Sequence, residues 1–425
     1  MKNETLSLLG TTSLVVTPFI KVQIGNYVFG YYNKKSSSNL RDEHGIYTLN
    51  KLTYPNYIQN LTVQKINGTV NKYTLKLAYA ITERDDPNFF EKVFSSVSQS
   101  RKIIFSYGDL STPNFCYKDE EAIITDIKNN FAISNSTITY TVSAVSTGKM
   151  SAFGTYSFTD GFKKPSDEIK RILYDNTYGL LDVFYGMRDR ELVETNGLIA
   201  SNDKVVYLQT KNNISVLDYL IYLVSCMTNT SNESTIKDSL YSFVVIDEIS
   251  DKFKGPYFKV VEFGKVDNYS TAYSIDIGYP SQNVVTNFNI DNDESYSLYY
   301  NYSTGLSDSE YVQRINDQGQ IEEKYAPTIS SGNAQRITTE ADRTWWTRVT
   351  QYPIKATVTF KGLLRPAILM THIKLNVYFY GRKHISSGIY VVTQQTDSIG
   401  FDGFKTTLRL LRVDKEELWL QLQKE

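Results

Sequence analysis

Residues 57–81, YIQNLTVQKINGTVNKYTLKLAYAI, constrain the fold more than any other stretch of the chain. Leu61 and Val63 alternate with polar neighbours, and Tyr73, Leu75, Leu77 and Tyr79 do the same after the dipeptide Asn67–Gly68. A period of two places one face of each run on a core, and Asn-Gly suits a tight reversal, so the stretch reads as a β-hairpin with one buried face. The 33 Tyr and 21 Phe of the chain point the same way, because flat, bulky rings pack well on pleated surfaces. With 425 residues the chain exceeds one ordinary core, so roughly two to four domains are expected.

The surrounding sequence extends this pattern. KKSSSNLRDEHG at 34–45 reads as a surface loop. Asp86 as a cap, Pro87 at the first helical position and Phe90, Val93, Phe94 and Val97 at helical spacing predict a short helix. Strands follow at 101–109, 121–128 and 136–146, the last with Ile138, Tyr140, Val142 and Ala144 on one side. Five or more strands with one interposed helix are expected to curl into a small β-barrel, which hides its edges by closure, over residues 1–160. Residues 161–270 read as a mixed α+β domain. One helix starts at Pro165 or Ser166 with Ile169, Ile172 and Leu173 on a stripe. A second is capped by Ser215, with Asp218 three residues on and Val216, Leu220, Leu223 and Val224 on its apolar face, and strands follow at 241–249 and 256–265.

A second strand domain is expected over 271–425, interrupted at 316–344 by a polar segment that reads as a mobile loop or an extended arm toward a partner. PIKATVTFKG, HIKLNVYFYG, GIYVVTQQTDSI and FKTTLRLLRV supply its later strands. In the last of these, Thr406, Leu408, Leu410 and Arg412 share one face, and Thr407, Arg409, Leu411 and Val413 the other. Each face mixes two apolar residues with one arginine. Either both faces are partly buried, one on the core and one on a subunit, or a strand end or bulge breaks the alternation after Leu410.

Signals for chemistry are sparse. The net charge of −1, from 45 basic and 46 acidic residues, lacks the basic field of a nucleic-acid binder and suits a surface that joins neighbours. MKNETLSLLGTTSLVV is a poor signal peptide, and no apolar run approaches the roughly 20 residues of a membrane-spanning helix, so a soluble product made in the cytoplasm is expected. Cys116 and Cys226 have no spacing that implies a disulfide framework or a metal site. His44 lies in the polar loop, and His372 and His384 flank one strand without a His-Glu-x-x-His pattern. No phosphate-cradling or dinucleotide-binding glycine pattern occurs.

The acidic pairs Asp85–Asp86 and Glu120–Glu121 have the residue types of glycoside hydrolysis, but Asp86 serves as a cap and the other pair reads as a solvated face. Adjacent Trp345 and Trp346 would point to opposite sides of a strand, one into a core and one toward a partner or ligand. A carbohydrate-binding or glycan-degrading β protein is therefore the rival reading. No catalytic, cofactor-binding or metal residue is assigned, and the chain is expected not to be an enzyme.

The order of elements resembles a known family. YIQNLTVQKINGTVNKYTLKLAYAI followed after a helix by RKIIFSYGD resembles the first domain of contractile-phage baseplate hub proteins and of the hub part of type VI secretion spike proteins. HISSGIYVVTQQTDSIGFDGFKTTLRLLRV is similar to the final tube-type domain of that family, and SVLDYLIYLV to the helix that opens its second domain. The resemblance implies two related tube-type β-barrel domains flanking a mixed domain, and a homotrimer whose strand domains form one ring. Such a ring adapts a sixfold tail tube above to a threefold central spike below, beside other baseplate proteins; another tail or distal-tail structural protein is the alternative within this reading. DNA or tape measure protein would pass through its lumen without specific binding. The long 316–344 segment and the lack of a triple-stranded β-helix repeat after WLQLQKE depart from that pattern.

Overall fold

Period-two patterning puts most of the described residues in strands. The computed structural model describes residues 18–32, 53–55, 57–80, 86–95, 101–109, 117–132, 136–227, 240–263, 271–278, 285–292, 311–315, 321–325, 354–361, 369–384, 386–400 and 403–412. The N-terminal region holds β1 (Pro18–Ile24), β2 (Tyr27–Tyr32), β3 (Thr53–Pro55), β4 (Ile58–Ile66), β5 (Lys72–Ala80), α1 (Phe89–Ser95), β6 (Lys102–Asp109), β7 (Tyr117–Ala132) and β8 (Thr137–Ser146). A middle module follows with β9 (Thr155–Phe158), β10 (Gly161–Lys163), α2 (Pro165–Tyr174), α3 (Leu180–Val183), α4 (Arg190–Thr195), β11 (Val206–Leu208), β12 (Lys211–Ser215), α5 (Val216–Cys226), β13 (Leu240–Ile246) and β14 (Tyr257–Phe263). The C-terminal region adds β15 (Thr271–Ile277), β16 (Val285–Asn292), β17 (Tyr311–Ile315), β18 (Ile321–Tyr325), β19 (Ile354–Lys361), β20 (His372–Phe379), β21 (Arg382–Lys383), β22 (Gly388–Gly400) and β23 (Gly403–Arg412).

Fifteen of these strands join in one sheet with the order β16-β19-β23-β22-β4-β5-β8-β7-β6-β1-β2-β3, and β15, β20 and β21 branch from it through β22. Among the described residues no sheet closes, which corrects the expected pair of tube-type β-barrel domains. The reason lies at β4. Closure of the N-terminal strands would need its outer edge to meet β2 or β3. That edge instead pairs antiparallel with β22, from Gln394↔Ile66 to Gly400↔Asn60. The two terminal regions are therefore one open sheet ending at β3 and β16. Alternation tells which face of a strand is buried but not which edge finds which partner.

The long strand β22 makes this seam possible. Its first residues pair with β20, from His372↔Val391 to Leu375↔Gly388, and its later ones with β4, while β23 runs along its other edge. The register with β23 shifts between Val392 and Gln394. A bulge adds one residue and flips the facing of everything after it. Tyr390 and Val392 before the bulge and Gln395, Asp397 and Ile399 after it therefore share the face of Arg412, Leu410, Leu408, Thr406 and Phe404 of β23. Along that one face Tyr390 and Val392 pack on a C-terminal core with Ile373, Leu375, Leu408 and Leu410, and Ile399, with Phe404, enters the N-terminal core beside Leu61, Leu75 and Phe105. Full burial of those two side chains is worth about 3–6 kcal/mol, enough to bind the halves as a unit. At the seam Gly400 lies so near the Gln59 carbonyl oxygen that a Cβ there would sit 2.5 Å away.

The blurred last strand also becomes clear. Phe404, Thr406, Leu408, Leu410 and Arg412 of β23 are all buried, and the bulge lies in β22 rather than after Leu410. Leu411, on the other face, packs on a small cluster of Val244, Met370 and Val391 that joins this hairpin to the middle module. α1 starts at Phe89 rather than Pro87, because Asp86 accepts from the Asn88 amide in a turn that precedes the helix. Ser215 caps α5 as expected, accepting from the Asp218 amide at 3.0 Å. In the 316–344 stretch, β18 pairs antiparallel with β17. Residues 326–344, with Trp345 and Trp346, lie outside the described residues.

Candidate functional site at the buried junction

The Asn67–Gly68 turn is a contact point rather than a solvent-facing tip. Gly68 takes the left-handed φ of 73° that the turn requires, and its amide donates to the Phe243 carbonyl of β13 at 2.6 Å. The Asn67 amide donates to the Thr393 carbonyl at the β22 bulge, 3.0 Å away, and its side-chain amide donates to Ser242 Oγ at 3.1 Å. One turn thus touches the C-terminal hairpin and the middle module together. Val70, just beyond it, enters the apolar core of that module.

Beneath the turn the core face of the sheet becomes polar. Lys65 continues the Leu61–Val63 face of β4 and is buried. It forms a buried ion pair with Glu120 of β7, and its Nζ stands 3.6 Å from the centre of the Tyr117 ring. Tyr73 and Tyr107 both donate to Glu120 Oε2, at 3.1 and 3.0 Å. On β22, Asp397 accepts from Thr406 Oγ1 of β23 at 2.6 Å and from Gln395 Nε2 at 2.7 Å, and Gln395 Nε2 also donates to the Tyr117 hydroxyl at 2.7 Å. From the middle module comes Asp247, just past β13, which accepts from Asn71 Nδ2 at 2.8 Å and from Ser146 Oγ, and whose Oδ2 lies 2.9 Å from the Tyr73 hydroxyl.

Burial sets the electrostatics. It pushes the carboxyls of Asp247 and Asp397 up to about 6 and that of Glu248 up to about 7. Glu120 adds to each rise as a neighbouring negative charge. Desolvation and the carboxylates of Asp247 and Glu120 hold the Tyr73 phenol well above its usual range, so it remains a donor at neutral pH. Buried charges of this kind are costly unless each is paired and hydrogen-bonded. Lys65 and Glu120 meet that condition as an ion pair, whereas Asp247 and Asp397 are held by hydrogen bonds from neutral groups.

Glu120 and Glu121 are not a solvated pair, which corrects that expectation. Glu120 faces the N-terminal core, and Glu121, on the opposite face of β7, pairs with Lys102 and accepts from Tyr185 of the middle module. Their side chains are 1% and 5% exposed, so neither can address a bulky glycan in a cleft. His384 is exposed and hydrogen-bonded to Ser386, and burial lowers His372. Cys226 sits buried in the middle core. His44, Asp85 and Cys116 lie outside the described residues. Among the described residues no three His, Cys, Asp or Glu side chains gather as a metal site, and no helix is long and apolar enough to cross a membrane.

Sequence reasoning missed Lys65, Gln395, Asp397 and Thr406. Their signal is a polar residue in phase with apolar ones, as in Leu61-x-Val63-x-Lys65 and Asp397-x-Ile399. Such a residue is either a strand end or a member of a buried network, and the partner that decides between them is distant in sequence.

No protein-family model matches the chain, and no curated protein matches it either. Solved structures give a distant likeness to tail and type VI secretion proteins that recurs across several of them. A tail protein from Neisseria meningitidis aligns over 95% of this chain and 98% of its own, with 9% identity and a TM-score of 0.48. A 43 kDa prophage tail protein from Shewanella oneidensis aligns over 93% and 98%, with 10% identity and a TM-score of 0.47. An E. coli component of the type VI secretion system aligns over 84% and 74%, with 9% identity and a TM-score of 0.45.

Proposed function

We propose that this chain is a structural hub subunit of a phage tail baseplate, acting in the virion as a ring-forming symmetry adaptor. The β4–β22 seam carries this reading. It fixes two strand regions side by side in one sheet, so a subunit offers two strand units in a set relation. Three copies supply six such units, which match a sixfold tail tube on one side and a threefold central spike on the other. The ring lines the channel, other baseplate proteins surround it, and DNA or tape measure protein passes through without specific contacts. The near-neutral charge of −1 suits a surface that joins copies of itself. The buried carboxylates of the junction support a role in shape rather than in catalysis.

Light scattering of the purified protein followed by electron microscopy of the same sample tests the proposal. A mass of three chains and a ring with a central hole are expected. A monomer that forms no ring after addition of a purified spike protein would overturn it.

A further inference from the structure

The phenol of Tyr73 stands between two buried carboxylates, 3.1 Å from Glu120 Oε2 and 2.9 Å from Asp247 Oδ2. A hydroxyl has one proton to donate. With both carboxylates ionised, one of those contacts would set lone pair against lone pair, with all three groups out of water. Lys65 balances Glu120, while Asp247 is held by the neutral groups of Ser146, Asn71 and Tyr73. A proton on Asp247 resolves the conflict. It lets Asp247 donate to the Tyr73 oxygen while Tyr73 donates to Glu120.

We propose that this junction is a proton-binding site, holding one proton on Asp247 and passing its hydrogen bond through Tyr73 to Glu120. Docking of the middle module on the sheet is thereby linked to pH. The charged and titratable groups around it are Lys65 of β4, Tyr107 of β6, Lys118 and Glu120 of β7, Glu248 beside Asp247, and Asp397 of β22. On the far face of β7, Lys102 and Tyr185 hold Glu121. Asp247 anchors the end of β13, whose Phe243 carbonyl receives the Gly68 amide, so its ionisation places a second negative charge where two units meet. The carboxyl rises from 3.8 to about 6 on folding, so its stabilisation is complete in acid, below the unfolded value, and is lost as pH rises through about 6.

Hydrogen exchange of the β13 amides, corrected for the intrinsic effect of pH, reads the docking equilibrium directly. It is measured in a Glu248→Gln background, which removes the neighbouring group that titrates on the same segment. Between about pH 5 and about pH 8 the opening of β13 is expected to become about tenfold more favourable, as a group with this shift requires. Adding Asp247→Asn, whose amide can still donate to Tyr73, is expected to abolish that change. An equal pH dependence with and without Asp247→Asn would overturn the proposal. As a check that needs no change at Asp247, infrared spectra of the Asp397→Asn variant with isotope-labelled aspartate are expected to show a buried protonated carboxyl at about pH 5 that disappears by about pH 8. Absence of that band at the lower pH would equally overturn it.

Discussion

The core of the middle module and the junction beside it are both buried, yet one is built from Ile169, Ile172, Leu173, Leu220, Leu223 and Phe258 and the other from Lys65, Glu120, Asp247, Gln395 and Asp397. Apolar packing is tolerant. Each side chain contributes by the area it hides, and neighbours adjust when one changes. The polar cluster is exacting, because every member was stripped of water and depends on particular partners. The difference suggests a division of labour in which apolar cores stabilise each region and the junction fixes how the regions meet. A misplaced register would leave Lys65 or Asp397 unpaired.

The sharpest break of this contrast lies within one hairpin. Asp397 is accommodated on β22 because Thr406 and Gln395 donate to it. Leu410, on the same buried face of β23 as Thr406, has apolar neighbours instead. Leu410→Asp is expected to unfold the C-terminal region, seen as lost near-ultraviolet dichroism, whereas Leu411→Asp on the half-buried face is expected to leave it folded. Equal damage from both would show that the two faces are alike. Next in size, Glu120→Ala leaves Lys65 buried without its counter-charge and is expected to cost about 3–5 kcal/mol in urea unfolding. Lys65→Met with Glu120→Leu is expected to recover most of that loss.

Leu223→Ala, by contrast, opens a cavity in the middle core and is expected to cost about 2–5 kcal/mol, with no single second change that repairs it. If Glu120→Ala proved the milder lesion and the double variant gave no recovery, the junction would be acting as ordinary core. A smaller effect concerns acid. The carboxyl of Asp397 rises from 3.8 to about 6 on folding, so its contribution is complete below the unfolded value and is lost as pH rises through about 6. Asp397→Asn is expected to flatten the corresponding slope of unfolding free energy with pH, by up to about 3 kcal/mol. Smallest of all, Gly68→Ala meets nothing within 4 Å and pays only for the left-handed backbone, about 1–2 kcal/mol in thermal unfolding.

Strand positions were legible because alternation is a local property. The runs of β4, β5 and β8 are visible as apolar residues two apart, those of β20, β22 and β23 as strand stretches without a clean alternation, and Ser215 as a cap. Pairing was not legible. The outer edge of β4 carries no mark that names β22 as its partner, so a barrel was expected where an open sheet forms. The β22 bulge is equally hidden, since GIYVVTQQTDSI reads as unbroken strand until Val392 and Gln395 are seen to lie on the same face, opposite Leu410 and Leu408. Of the junction, the sequence marks Tyr73 and Thr406 by their strand faces and Glu120 as one of a solvated pair, and links none of them to another. The Tyr73 face was recognised as buried, but nothing within its own hairpin announces the carboxylates that approach it from β7 and β13.

The β4–β22 seam also orders events in time. Ser398 hydrogen-bonds to Asn60 across 338 residues of chain, so the N-terminal sheet leaves the ribosome long before the strand that completes it exists. Until then β4 presents a bare edge and a core lacking Ile399 and Phe404. Contacts of such separation are slow to form, and an open edge invites pairing with the wrong chain while it waits. Joining of the last hairpin to β4 is therefore the step expected to limit refolding, and a chain halted before Gly388 the form most prone to aggregate.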